Sequence, residues 1–181
     1  DLFFVRRLSL KDPVGKNNSV EVCDASEAIR LEPALLKNFV SCYGNYGGYQ
    51  RRGPGTFKKV LDSHVYRCEG WKLFLDRHQG KLRGYALVSP SDKRLKGTAL
   101  YEISAPSLAS VKALTDKIAH VFQGRGAIAC DATREHPIFK HLEKCGYAFA
   151  GDDAYILARV INAEKIFKAL LSQSKNKQLE K

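Results

Sequence analysis

Residues 101–132, "YEISAPSLASVKALTDKIAHVFQGRGAIACDA", pass from a β-type run through a long amphipathic segment into a second apolar run. Leu108, Val111, Leu114, Ile118 and Phe122 recur at three- and four-residue steps, the period of one helix face. Ser107 precedes them as an N-cap residue, and Gly124 stands where a left-handed C-terminal residue is wanted. The spacing predicts a helix over 107–122 packed across one face of a sheet, between strands at 98–105 and 127–132.

Upstream, "WKLFLDR" and "LRGYALVS" flank "HQGK", which predicts an antiparallel hairpin over 71–89. "VEVCD" (20–24) is a short strand leading into a helical stripe of Ile29, Leu35, Leu36, Phe39, Val40 and Tyr43, with Pro33 suited to a first turn and Gly44 to an end. The irregular "YGNYGGYQRRGPG" (43–55) follows, and then a turn or two of helix through Phe57, Val60 and Leu61. Downstream, "HPIFKHLEKCGY" (136–147) is a short helix with an Ile138/Leu142/Cys145 face and Gly146 at its end. "AYILARV" (154–160) reads as a last strand, "NAEKIFKALL" (162–171) as a last helix, and "FFVRRLSL" (3–10) as a strand closed by a Pro/Gly/Asn linker. This order of elements defines a layered α/β (α+β) domain with a mixed sheet. Its expected divisions are an N-terminal strand and linker at 1–19, the main domain at 20–161, and a C-terminal helix and polar tail at 162–181.

The chain has 181 residues, the size of one ordinary domain. No apolar run approaches the ~18 residues of a membrane span, so a cytoplasmic setting is expected. Five widely spaced cysteines without a Cys-x-x-Cys pair imply free thiols, not a disulfide frame or a zinc site, and the five histidines form no ligand grouping, so no metal is expected. The absence of any Met suggests a domain excised from a longer chain. A formal charge of +11 attracts phosphates of nucleic acids, nucleotides or coenzyme A, and its sign alone does not choose among them.

From about Val20 to Val160, the hairpin, "YEISAPS", the long helix, "AIACDA", "FKHLEKCGY" and a closing strand resemble the GNAT superfamily of N-acyltransferases. With the ends included, "LLKNFVSCYGNYGGYQRRGPGTF" and "AYILARVINAEKIFKALL" are similar to the second, degenerate GNAT domain of enhanced-intracellular-survival-type acetyltransferases, Arg159 and the helix after Asn162 carrying the likeness. The resemblance implies a mixed, mainly antiparallel sheet with helices on both faces. It also implies acetyl-coenzyme A as the cofactor of any active member, and Glu102 at the position where such enzymes often carry a general base.

The chemistry the resemblance calls for is incomplete in this chain. A coenzyme A loop would join the strand "YEIS" to the following helix, and that junction, "SAPSLASVKAL", contains no Gly. The Gln123–Gly126 cluster lies at a helix C-terminus, where the dipole is negative and repels phosphate. The Tyr that family members place four residues before the terminal Gly of the late helix is Leu142 here. In the Tyr101/Ile103 alternation Glu102 reads as outward-facing, and Asp131 as a strand end. Tyr46, Tyr49, Arg51 and Arg52 in the glycine-rich loop form the expected substrate or partner surface.

Three readings follow: a non-catalytic GNAT module of a larger acetyltransferase that binds no coenzyme A tightly, its partners being neighbouring domains or subunits; a free-standing divergent N-acyltransferase with a small-molecule or peptide amine acceptor; and a nucleic-acid-binding module using the Tyr/Arg loop. The scattered Lys and Arg predict only weak, salt-sensitive nucleic-acid binding. Fluorescence anisotropy with a single-stranded oligonucleotide at physiological salt checks this; tight binding abolished by Tyr46→Ala and Tyr49→Ala would reverse it.

Overall fold

The computed structural model describes residues 2–7, 19–45, 52–62, 70–92, 97–123, 127–132 and 138–152. The strand expected at 154–160, the helix after Asn162, and Tyr46, Tyr49 and Arg51 lie outside these residues. Seven strands, β1 (Leu2–Arg7), β2 (Val20–Asp24), β3 (Lys72–His78), β4 (Lys81–Asp92), β5 (Gly97–Ser104), β6 (Ala127–Ala132) and β7 (Ala148–Asp152), form one sheet in the order β2-β3-β4-β5-β6-β1-β7. Every neighbouring pair is antiparallel except β5–β6. The expected hairpin is β3–β4, turned by Gln79 and Gly80 at φ 49° and 75°, the left-handed pair that a two-residue turn needs to match strand twist.

The N-terminal strand, set apart with a linker in the sequence reading, is an integral part of this sheet. β1 lies between β6 and β7 and hydrogen-bonds to both, so neither strand is left with an unsatisfied edge on that side.

Helices cover both faces. On one, α4 (Leu108–Val121) and α5 (Ile138–Lys144) bury Val111, Leu114, Ile118, Ile138, Leu142 and Cys145 against Phe74, Ala86, Val88, Leu100, Ile103 and Ile128. On the other, α1 (Glu27–Arg30), α2 (Glu32–Tyr43) and α3 (Thr56–Leu61) bury Ala28, Leu35 and Phe57 against Leu73, Leu75 and Tyr85. The period-2 alternation of β3 and β4 divides their side chains between these two layers. Ser107 caps α4 as expected, its Oγ accepting the Ser110 N–H at 3.3 Å.

The stripe from Ile29 to Tyr43 departs from expectation. It is broken at Leu31 into α1 and α2, which leaves Ile29 42% exposed, and within α2 Asn38 and Cys42 join Leu35, Phe39 and Tyr43 on the buried face while Val40, off that face, is 58% exposed.

Leu114 is fully buried, so Leu114→Ala should cost about 2–5 kcal/mol by urea unfolding. Val111→Asp, which puts a charge into the same layer, should abolish the cooperative melt.

Candidate functional site

β5 and β6 run together for only three residues: Thr98, Ala99 and Leu100 stand opposite Ile128, Ala129 and Cys130. Beyond them β6 pairs with β1 while β5 keeps β4, so the one parallel pair of the sheet parts at its C-terminal end. A crevice beyond the carboxyl ends of parallel strands is where open α/β sheets bind ligands. At the same level β5 carries a bulge, for Leu87 stands opposite Glu102 and Val88 opposite Leu100, leaving Tyr101 without a counterpart.

The bulge reverses the alternation from which Glu102 was read as outward-facing. Leu100 and Ile103 both enter the α4 layer, Tyr101 is 36% exposed with its ring 4.9 Å from that of Trp71, and Glu102 turns inward at 8% exposure. Tyr85 Oη donates to Glu102 Oε1, and the Arg52 guanidinium forms an ion pair with Oε2. Arg52 Cζ also lies 4.1 Å from the Phe39 ring centroid. Burial, and then the adjacent Glu102 carboxylate, push the Tyr85 hydroxyl well above its ordinary pKa. Burial opposes charge on Arg52, but Glu102 outweighs it and holds the guanidinium above its usual value. Each Glu102 oxygen is therefore already engaged by a side chain of this chain.

Of the four loop residues proposed as a surface, Arg52 is the one the structure describes, and it faces inward to Glu102. Local structure delivers it there. The Glu32 carboxylate, in the first turn of α2, accepts the N–H groups of Gly55 at 2.7 Å and Phe57 at 2.9 Å, fastening the start of α3 just after Arg52. Asn38 ties α2 to the sheet, donating Nδ2–H to the Arg83 carbonyl at 3.1 Å and accepting from Ser104 Oγ at 2.8 Å. Sequence reasoning missed Phe39, Phe57 and Tyr85 as parts of the site, because each also satisfies the apolar pattern of its own helix or strand.

The first turn of α4 is occupied by the chain's own groups. Ser110 Oγ donates to Asp76 Oδ2 at 2.6 Å, and Arg83 pairs with Oδ1 at 2.8 Å, while Asp76 itself is wholly buried. Gly84 permits this contact, since a Cβ there would meet Ser110 Oγ at 2.6 Å and the Ala105 Cβ at 2.8 Å. Leu142, at the position of the family's acid Tyr, is fully buried in the α4–α5 core. Among the described residues no group of three or more His, Cys, Asp or Glu is placed to hold a metal, and no helix is long and apolar enough to cross a membrane.

No family model and no curated protein sequence matches this chain. Solved structures do resemble it. An aminoglycoside acetyltransferase from an uncultured soil metagenomic sample superimposes with TM-score 0.52 at 8% identity, over 79% of this chain and 95% of its own. A ribosomal-protein-alanine N-acetyltransferase from Brucella melitensis gives 0.51 at 17% identity, over 79% and 97%. A functionally unknown conserved protein from Staphylococcus epidermidis gives 0.51 at 10% identity over 83% of this chain, which spans 57% of that protein's length. The architecture is the GNAT fold, that of N-acetyltransferases.

The Glu32 clamp gives a pH signature. Backbone hydrogen bonds from Gly55 and then Phe57 lower its pKa from the usual 4.5, so its stabilising contribution is present above that value and is lost as pH falls through the lowered one. Glu32→Gln should therefore melt below wild type at neutral pH, with the difference shrinking as acid is added; parallel Tm–pH curves would contradict the clamp.

Proposed function

We propose that this chain is a GNAT-fold module of an acetyl-coenzyme A-dependent N-acetyltransferase in which acyl transfer is performed by another domain, as in the second domain of the enhanced-intracellular-survival type. Its own part is scaffold and contact surface. The observation that carries this reading is the first turn of α4, where a GNAT acyltransferase receives the coenzyme A pyrophosphate. Here Pro106 has no N–H to offer, Ser107 Oγ takes the Ser110 amide, and the Asp76 carboxylate sits against the same turn. The hydroxyl and amide of that turn are thus taken up by the chain's own side chains, with Arg83 as the counter-ion of Asp76, and are not left open to a pyrophosphate. The inward, doubly engaged Glu102 and the apolar Leu142 are in keeping with the same assignment.

The neighbours' names indicate the chemistry of the parent reaction. They describe transfer to an aminoglycoside and to a ribosomal-protein alanine, so an amine on a small molecule or a peptide is the acceptor class we assign to the whole protein. Its partners would be the neighbouring domains of that protein or other subunits. The Staphylococcus epidermidis neighbour, of which this chain spans 57%, shows the fold inside a longer chain.

Thermal melts with and without millimolar acetyl-coenzyme A at physiological salt should superimpose. A ligand at a hundred times its dissociation constant stabilises by about 2.7 kcal/mol, which a melt readily detects. A clear upward shift with saturable one-to-one binding in calorimetry would instead overturn the non-catalytic reading and make Glu102 a catalytic candidate in a free-standing N-acyltransferase.

A further inference from the structure

The cation that neutralises Glu102 comes from a loop, whereas the groups that hold this cation belong to the frame. Phe39 lies in α2, Phe57 in α3, Tyr85 in β4 and Glu102 in β5. Arg52 Cζ is 4.1 Å from the Phe39 ring centroid and 5.9 Å from that of Phe57, and its Nη2 pairs with Glu102. The rings are braced independently of it. Tyr43 stacks on Phe39 with centroids 4.7 Å apart and anchors its hydroxyl on the Ile103 carbonyl, and Phe57 meets Tyr85 edge-on at 6.0 Å. Tyr85 in turn fixes the other carboxylate oxygen. Removing the Arg52 side chain would leave all these contacts standing around a cation-shaped space.

Such a space selects its occupant by charge and shape. Aromatic faces attract a cation through their quadrupole, and a flat guanidinium can lie over the Phe39 ring while one of its edge N–H groups reaches Glu102 Oε2. With the Glu102 side chain only 7% exposed, a vacant box would hold an uncompensated buried charge, a far worse state than exchange of one cation for another. The Arg52 side chain is 18% exposed, so the box is not sealed from solvent.

We propose that the Phe39–Phe57–Glu102 box is a guanidinium-binding site which Arg52 fills in cis, and that an arginine side chain of a peptide can take it in competition with Arg52. The site would give the module a means of capturing an arginine-bearing segment, with Arg52 as its built-in competitor. This goes beyond the scaffold role proposed above and does not depend on whether the chain binds acetyl-coenzyme A, because its readout is binding alone.

The test uses the full chain with methylguanidinium chloride as probe, up to tens of millimolar at ionic strength matched with NaCl. R52A should melt several degrees below wild type and be raised saturably by methylguanidinium, and the double variant R52A/E102Q should not respond. The apparent dissociation constant should rise in the order R52A, R52K, wild type, which measures the competition. If R52A shows no melt in buffer, a folded state restored by methylguanidinium supports the site, and R52Q carries the same titration. Absence of rescue in R52A and R52Q, an equal response in R52A/E102Q, or the same dissociation constant in R52A and R52K would overturn it.

Discussion

Between Leu87 and Val88 the ladder to β5 slips by one residue, since Tyr101 has no opposite number in β4. A bulge of this kind adds twist and redirects the side chains that follow it. Here it sends Glu102 into the layer of α2 and α3, at the level where β5 ceases to pair with β6. A carboxylate so placed must be matched by a cation, and the matching cation has to come from the segment that joins those two helices. Arg52 supplies it, and the Glu32 clamp on the start of α3 holds that segment in reach. One inserted residue thus couples sheet register, loop position and the charge pair at Glu102.

Asp76 and Glu102, the two buried carboxylates of the sheet among the described residues, are satisfied in parallel ways on opposite faces. Glu102 has Arg52 and the Tyr85 hydroxyl; Asp76 has Arg83 and the Ser110 hydroxyl. Buried pairs of this sort add little net stability over apolar residues of the same volume, but breaking one is severe, because it strands a charge in low dielectric. Asp76 therefore orients the first turn of α4 against β3 and β4, as Glu102 orients the loop before α3. Each carboxylate is thus engaged by the chain's own side chains. A fold fixes where a site can form, and the side chains decide whether one does.

Much of this architecture was legible in the amino-acid sequence. The strong periodic signals, the Leu108–Phe122 stripe, the hairpin around Gln79 and Gly80, and the Ile138/Leu142/Cys145 face, are local properties of the chain, and each appears where the period placed it. So did the end signals Ser107 and Gly146, which depend on one residue's cap or positive φ. Where two helices meet, as at Leu31, the pattern could not show that the phase would reset, and Ile29 was misassigned for that reason; Val40 was misassigned because polar Asn38 and Cys42, not Val40, complete the buried face of α2.

The sequence alone determined the periodic elements as far as the late helix, the basic charge, and the absence of glycine at the junction before α4, but it did not show the strand at Ala148–Asp152. Tertiary structure decided the rest. Placing β1 between β6 and β7 rests on pairing between residues more than a hundred positions apart, which no local period encodes. The inward turn of Glu102 depends on a one-residue slip against β4, and its partners Arg52 and Tyr85 come from elements 50 and 17 residues away, brought to one carboxylate only when the sheet and the helix layer close over it. Alternation along a strand predicts a face only while the ladder stays in register, and the ladder is a property of two strands, not of one.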